Sequence, residues 1–369
     1  ASDVSLVGSE MCIRDRYSYV RSLLPEYVKK ITVPRDISIL LSLCAKAHGK
    51  EELWQRTKPE VLNALKQQAI ISSTESSNRI EGVEVEPARL KPLVKGTTKP
   101  RDRTEEEIVG YREALDWIHK DWDRIDISTA TIRKIHFLAQ QGSVSDAGEW
   151  KTRNNEIIEL HADGRVTTRF VPPEPEQVPQ LVEGLCLAYR NTENNNLLPD
   201  LLLIATFVFD FLCIHPFRDG NGRTSRLLTL LLLYKHGYTL GRYVSVERNI
   251  EDTCQAYYAA LQESSRSWHT SEHDLMPFWR YFVRTIKVAY DGLESRFDVQ
   301  GPFHGGKTQL IRSEVMRQIG DFKLSDIVGA VPGVSQNLVQ KVLAGMREEG
   351  LVNLHGHGRG AYWSKGEKS

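Results

Sequence analysis

The residues with the most chemistry to offer lie in one run, His215-Pro-Phe-Arg-Asp-Gly-Asn-Gly-Arg-Thr-Ser-Arg226. It stands between two strongly apolar segments, Leu201 to Ile214 and Leu227 to Leu233, both of which read as helices. Asp219 to Gly222 then reads as a tight turn opening the second helix, with Gly220 and Gly222 permitting close backbone approach. Amides at a helix start have no carbonyl behind them, so they form a cradle for an anion. Arg223 and Arg226 share a helix face and can reach the same phosphates, bidentately. Asp219 is a hard oxygen ligand beside that cradle, suited to Mg2+ bridging a diphosphate. His215, at the loop entry, can take a proton from an incoming hydroxyl near neutral pH. Phe217 reads as an apolar anchor pinning the loop to the core.

Position for position, this run resembles the signature of the Fic family, HPFx[D/E]GNGRxxR. The resemblance implies a nucleotidyltransferase, ordinarily a protein adenylyltransferase moving AMP from ATP to a Ser, Thr or Tyr hydroxyl of a protein. It implies that His215 is the base, Asp219 the Mg2+ ligand, and Gly220, Asn221, Gly222 and Arg223 the phosphate hole, with Arg226 on the γ-phosphate. Nucleotide contact is expected of Thr224 and Ser225 in the same turn as well, and ATP and Mg2+ are the expected cofactors. Upstream, Ser77-Asn-Arg-Ile-Glu-Gly82 matches the family's inhibitory pattern, [S/T]xxxE[G/N]. Ser77 and Glu81 would share a helix face. Here the resemblance implies that Glu81 pairs with Arg226 and denies it to the γ-phosphate, one carboxylate competing with phosphate for one guanidinium.

The elements that must position these residues are mainly helical. Ile37 to His48, Lys58 to Ile80, Ile108 to Asp121 and Ser128 to Gln140 read as helices, the third behind a capping box at Thr104-Glu-Glu-Glu107. Asn155 to Pro173 changes character. Ile157, Ile158 and Leu160, the turn signal Ala162-Asp163-Gly164, and Val166 to Val171 read as a β-hairpin. It lies where the family carries its flap, at which an extended protein target is expected to add as a strand. Val166, Thr167 and Thr168 are the residues expected to touch nucleotide or target there. Helices resume at Val178 and run to Phe297, with Gly237 suited to the C′ position after the second apolar helix. Tyr257-Tyr258-Ala-Ala-Leu261 resembles the family's YYxxL helix beside the adenine.

The expected organisation is a leader at 1–16, an N-terminal helical region with the inhibitory helix at 17–125, a Fic catalytic core at 126–297, a linker at 298–307 and a winged helix-turn-helix domain at 308–369. Ala1 to Arg16 resembles translated sequencing-adapter read-through and is set apart as a non-native or disordered leader. Gly301-Pro-Phe-His-Gly-Gly-Lys-Thr308 fits the P-loop pattern GxxxxGK[ST], but the charged stretch before it is no buried strand, so it reads as linker. Beyond it come Ser325 to Val331, the turn Pro332-Gly333, Ser335 to Glu349, Leu351 to Leu354, a Gly-rich tip and Ala361 to Trp363. Ser335, Gln336, Asn337, Gln340 and Lys341, with Arg359 on the wing, are the candidates for DNA contact. Nine Lys and Arg against six Asp and Glu from Gly301 onward is a modest basic excess for that role. A DNA-binding regulator with a nucleotide-sensing site is therefore the rival reading, and removal of AMP or transfer of another phosphate-linked group is a third.

Composition bounds these readings. The formal net charge is zero, which argues against a chain-wide attraction to nucleic acid or anionic membrane. Leu201 to Ile214 is interrupted by Asp210 and too short to span a bilayer, so no membrane partner is expected. The five cysteines are scattered without CxxC spacing, which suits a reducing, cytoplasmic setting and neither disulfides nor zinc. A homodimer is the oligomer held in view.

Overall fold

In the computed structural model the residues described are 22–57, 59–160, 166–297, 306–318, 321–331, 334–356 and 361–366. The leader 1–16, the turn Ala162 to Gly164, Gly301 to Gly305 of the P-loop-like run, Pro332-Gly333 and the tip with Arg359 lie outside them. The chain divides into two units, one of 1–49, 70–241 and 245–290, the other of 50–69, 242–244 and 291–369.

The larger unit is a stack of helices around one that is apolar on every side. In chain order the first helices of the chain are α1 (Pro25–Val28), α2 (Arg35–His48), α3 (Glu51–Thr57), α4 (Pro59–Ile80), α5 (Pro87–Val94), α6 (Arg103–Asp121) and α7 (Thr129–Gln140), of which α3 and α4 up to Ala69 belong to the smaller unit. The strands β1 (Ile157–Leu160) and β2 (Val166–Phe170) follow, then α8 (Val178–Asn194), α9 (Asp200–Ile214), α10 (Asn221–Lys235), α11 (Val246–Asp252), α12 (Cys254–Ser265) and α13 (Met276–Glu294). Every residue of α9 from Leu201 to Ile214 is buried, which explains its largely apolar run. It packs against α8 and α10, and α10 packs in turn on α6 and α7. Asp210 is the exception within α9; its Oδ1 accepts from Ser22 Oγ at 2.7 Å and Trp268 Nε1 at 2.8 Å. Burial pushes that carboxyl up to about 7.

Local signals account for the helix ends that matter. α7 starts behind Ser128, whose hydroxyl accepts from the Thr131 amide at 3.2 Å. α10 stops at Gly237, which takes a φ of 83° while its amide and that of Tyr238 return to Tyr234 and Leu233. α6 corrects the expectation from sequence. Its cap is Asp102, which accepts from the Glu105 amide at 2.9 Å, so the helix begins ahead of Thr104 and Glu107 is left for another partner.

β1 and β2 pair antiparallel with Ile158 opposite Thr168 and Leu160 opposite Val166, and a bulge falls between Ile157 and Ile158. The smaller unit contains, beyond 305, α14 (Gly306–Arg317), α15 (Leu324–Ala330) and α16 (Gln336–Glu348), followed by β3 (Val352–His355) paired antiparallel with β4 (Tyr362–Lys365). Ile311, Ile327, Val339, Leu343, Val352 and Trp363 form their common core. The residue order of helices and hairpin agrees with the sequence reading there, except that α14 already begins within the expected linker. No helix among the described residues is long and apolar enough to cross a membrane.

Candidate active site

The site is built at the junction of α9 and α10. His215 caps α9 in the left-handed region, φ 50° and ψ 59°, a conformation that costs a β-carbon-bearing residue about 1 kcal/mol or more. Its Nδ1 lies 3.3 Å from the Leu212 carbonyl, an acceptor, so the ring proton sits on Nδ1 and Nε2 keeps its lone pair. Burial pushes the imidazole down to about 4, with the Lys151 charge acting the same way and Glu81 and Asp219 opposing it. His215 is therefore a neutral base at physiological pH.

The loop that follows has its carbonyls tied back. Pro216 O accepts from the Lys151 amide at 2.9 Å. Phe217 O accepts from Asn221 Nδ2 at 2.7 Å and from Asn155 Nδ2 at 3.2 Å. Asp219 O lies 3.0 Å from His136 Nε2. Gly220, at φ 75°, caps α10, and a β-carbon there would collide with the Gln140 side-chain amide. Only glycine fits that bend. The first amides of α10 then point forward with no helical carbonyl to receive them.

The C-terminal end of α4 meets this helix start. α4 ends in a Schellman motif: the Gly82 amide donates to Arg79 O and the Val83 amide to Asn78 O, with Gly82 at φ 76°. That geometry favours glycine, or asparagine, directly after Glu81. Ser77 Oγ accepts from Arg226 Nε at 2.8 Å, Ser77 O from Arg226 Nη2 at 2.8 Å, and Glu81 Oε1 from Nη2 at 2.7 Å. The guanidinium is 3% exposed. Burial works against its charge, and Glu81 together with Tyr111 and Tyr257 more than offsets this, so its pKa rises. A β-carbon at Gly222 would lie 2.2 Å from Glu81 Oε1. The carboxylate therefore sits over the first turn of α10, on the anion cradle itself.

Glu81, His215, Gly222, Arg226, Tyr257 and Tyr258 line one pocket of about 530 Å³. Tyr257 is buried and Tyr258 partly so, with its phenol pushed up to about 12 by burial and by Glu81. Arg169 of β2 stands over the Tyr258 ring, 5.4 Å from its centroid. Cys213, Leu261 and Gln262 complete the wall between them.

Other expected site residues are placed elsewhere. Thr224 and Ser225 are buried, and Ser225 Oγ donates to Gly222 O at 2.7 Å. At 100° per residue, the face of α10 carrying Gly222 and Arg226 leaves these two turned into the core. Asn221 spends its side chain on Phe217, donating to its carbonyl and accepting from its amide at 3.0 Å. Arg223, 2% exposed, is ion-paired with Glu107 of α6 and touches Asn78 Oδ1 at 3.4 Å. With its amide oxygen turned toward the guanidinium, Gln140 accepts from Arg223 Nη2 at 2.8 Å. Arg223 thus braces the loop instead of facing the pocket. Thr167 and Thr168 are exposed and do not line the pocket; Thr168 Oγ1 donates to Glu156 at 2.8 Å. Among the described residues of the hairpin, those that reach it are at its base, Glu156, Ile157, Arg169 and Phe170. Of Val166 the backbone alone is described, paired with Leu160.

Asp219 is the half-exposed carboxylate beside the cradle. Its Oδ1 accepts from the Gly220 amide at 2.6 Å, and its oxygens lie 4.0 Å from Arg103 and from Arg223. Among the described residues no cluster of three or more His, Cys, Asp or Glu could enclose a metal. One hard oxygen beside a phosphate cradle fits Mg2+ brought in on a nucleotide and completed by phosphate and water.

Residues 126–233 match the Fic/DOC family model, so the chain carries a Fic/DOC domain over those residues. It is 29% identical over 188 residues to the protein adenylyltransferase Fic of Drosophila yakuba, a match covering 50% of this chain and 33% of that one. It is 30% identical over 146 residues to the protein adenylyltransferase fic-1 of Caenorhabditis elegans, covering 35% and 26%. The chain thus spans about a third or less of the curated relatives it matches. The fold is shared with a Fic family protein from Desulfovibrio desulfuricans, TM-score 0.60 at 20% identity over 92% of this chain and 98% of that one. A Fic domain-containing signalling protein from Bacteroides thetaiotaomicron superposes with a TM-score of 0.55 at 22% identity, over 70% and 97%.

Proposed function

We propose that this chain is a protein adenylyltransferase held inactive by Glu81. The observation that carries the reading is the Glu81 carboxylate lying on Arg226 and over Gly222, an anion already resting on the cradle where a terminal phosphate is expected. Glu81 sits at the C-terminal end of α4, where the helix dipole disfavours a carboxylate, so its hold depends on Arg226 and the start of α10.

Once Glu81 leaves, Arg226 and the α10 amides bind the phosphate chain, and Tyr257 and Tyr258 flank the base. Asp219 would hold Mg2+, which when bound neutralises phosphate charge. His215 Nε2 takes the proton of a Ser, Thr or Tyr hydroxyl; that oxygen bonds to the α-phosphorus as the α–β bridge breaks and diphosphate departs. Positioning and fixed positive charge supply the rate. An extended target strand along the hairpin would present the hydroxyl.

The test is labelling with α-labelled ATP and Mg2+. Glu81→Gly protein should label itself or a lysate protein at least tenfold above wild type, on the order expected when an occupied phosphate site is vacated. Adding His215→Ala should abolish the signal. No label from either would sink the reaction class. Label from wild type equal to that of Glu81→Gly would leave the chemistry and remove the inhibition. A γ-labelled control separates transfer of AMP from transfer of phosphate.

A subsidiary proposal concerns the smaller unit. Ser335, Gln336, Asn337, Gln340 and Lys341 are all exposed along α16, which supports DNA contact there. Gel retardation by the full chain over a salt series, weakened by Lys341→Ala, is the expected outcome.

A further inference from the structure

His136 has no part in the reaction above, yet it is the buried side chain that grips the peptide leading into the cradle. It lies on α7, 2% exposed. Its Nδ1 receives the Gly148 amide at 2.8 Å, and its Nε2 lies 3.0 Å from the Asp219 carbonyl. An amide can only donate and a carbonyl can only accept, so the tautomer is settled: Nδ1 bare, Nε2 protonated. The ring is stacked flat on Phe217, centroids 3.7 Å apart and planes within 3°. One imidazole therefore clamps the loop through a backbone oxygen and an aromatic face, while its far edge is anchored on Gly148.

We propose that His136 is a positioning residue for nucleotide binding, setting the orientation of the Asp219–Gly220 peptide and hence of the amides that open α10. This rests on the nucleotide-binding reading of the site. With the Asp219 carbonyl tied back, Gly220 holds its left-handed bend and the following amides point into the pocket. Released, that peptide can rotate and turn a carbonyl dipole toward the phosphates, opposing an anion where the cradle should attract one. Imidazolium would lose the acceptor that the Gly148 amide needs, so the clamp is the neutral ring.

Three substitutions separate clamp from packing. His136→Phe keeps a flat ring against Phe217 and loses both hydrogen bonds. His136→Gln places an amide N–H near the position of Nε2, and His136→Asn cannot reach the Asp219 carbonyl. In a Glu81→Gly background, calorimetric ATP affinity with Mg2+ should fall about tenfold for Phe and recover to within about threefold for Gln, as expected for one buried hydrogen bond. The Gly220 amide resonance of the free protein should move in the Phe variant and return in the Gln variant. A folded Phe variant that binds ATP as tightly as its parent, or leaves the Gly220 resonance unmoved, overturns the proposal. Should Phe not fold, Asn replaces it, and Asn binding as tightly as Gln is the overturning result. If the Glu81→Gly parent takes up no ATP, the nucleotide reading itself falls, while the Gly220 resonance still tests the clamp.

Discussion

Arg223 and Arg226 stand one turn apart on α10 and serve different ends. Arg226 meets Glu81, 27% exposed on a helix end beside the pocket; Arg223 meets Glu107 of α6, sealed at 7% exposure. Removing one member of a sealed pair strands the other charge. Glu107→Ala should therefore lose about 3–5 kcal/mol of unfolding free energy in urea. A loss below about 1 kcal/mol would mean that Gln140 and Asn78 suffice for Arg223. His215 carries a second expectation. With its imidazole held near 4 by burial, the base stays unprotonated well below the ordinary histidine range. The acid limb of kcat/KM for the Glu81→Gly protein should fall at about pH 4 or below, since the carboxylate that raises the ring is gone, and a limb centred near 6.5 would contradict the Leu212-bonded ring.

The end of α4 works as one element. Arg79 pairs with Glu75 and with Glu251 on α11, at 2.8 Å for the latter, Ser77 and Glu81 hold Arg226, and Gly82 makes the turn that lets Glu81 face α10. Gly82→Val would force a β-branched residue into a left-handed position, at about 1–2 kcal/mol. Part of that cost falls on the Glu81 contact. In the otherwise wild-type chain it should raise α-label incorporation severalfold, less than Glu81→Gly does, whereas Gly82→Asn should stay near wild type because asparagine tolerates that region. Equal labelling by all three would separate the turn from the inhibition.

Over the larger unit, burial holds His136, His215 and His273 neutral down to about 4, while unfolded histidine takes its proton near 6.5. The unfolded chain therefore binds more protons between these values. Stability should be full above about 6.5 and fall as pH drops toward 4. Asp210 acts oppositely: its folded carboxyl keeps a proton to about 7, so its contribution is present at acid pH and lost as pH rises. Three groups against one leave a positive net slope. Urea midpoints at pH 4.5, 5.5 and 6.5 should rise in that order, and Asp210→Asn should steepen the rise. A flat profile would mean these histidines are hydrated in the folded chain.

Residue order alone was enough for the helices, the hairpin and the loop from His215 to Arg226, because these rest on periodicity, caps and glycines acting within a few residues. It was also enough to pair Glu81 with Arg226, through resemblance. It could not foresee that the side chains of Asn221, Arg223, Thr224 and Ser225 turn to partners within the protein, since local spacing cannot tell which face of a helix the rest of the chain will cover. It passed over His136, Gln140 and Glu107 for the same reason. The last of these was even taken for a cap. Their partners lie 83, 83 and 116 positions away along the chain. Only packing α7 and α6 against α10 brings those groups to the loop, and that packing is decided by the burial of α9 and its neighbours, a sum over the whole unit that no short segment encodes.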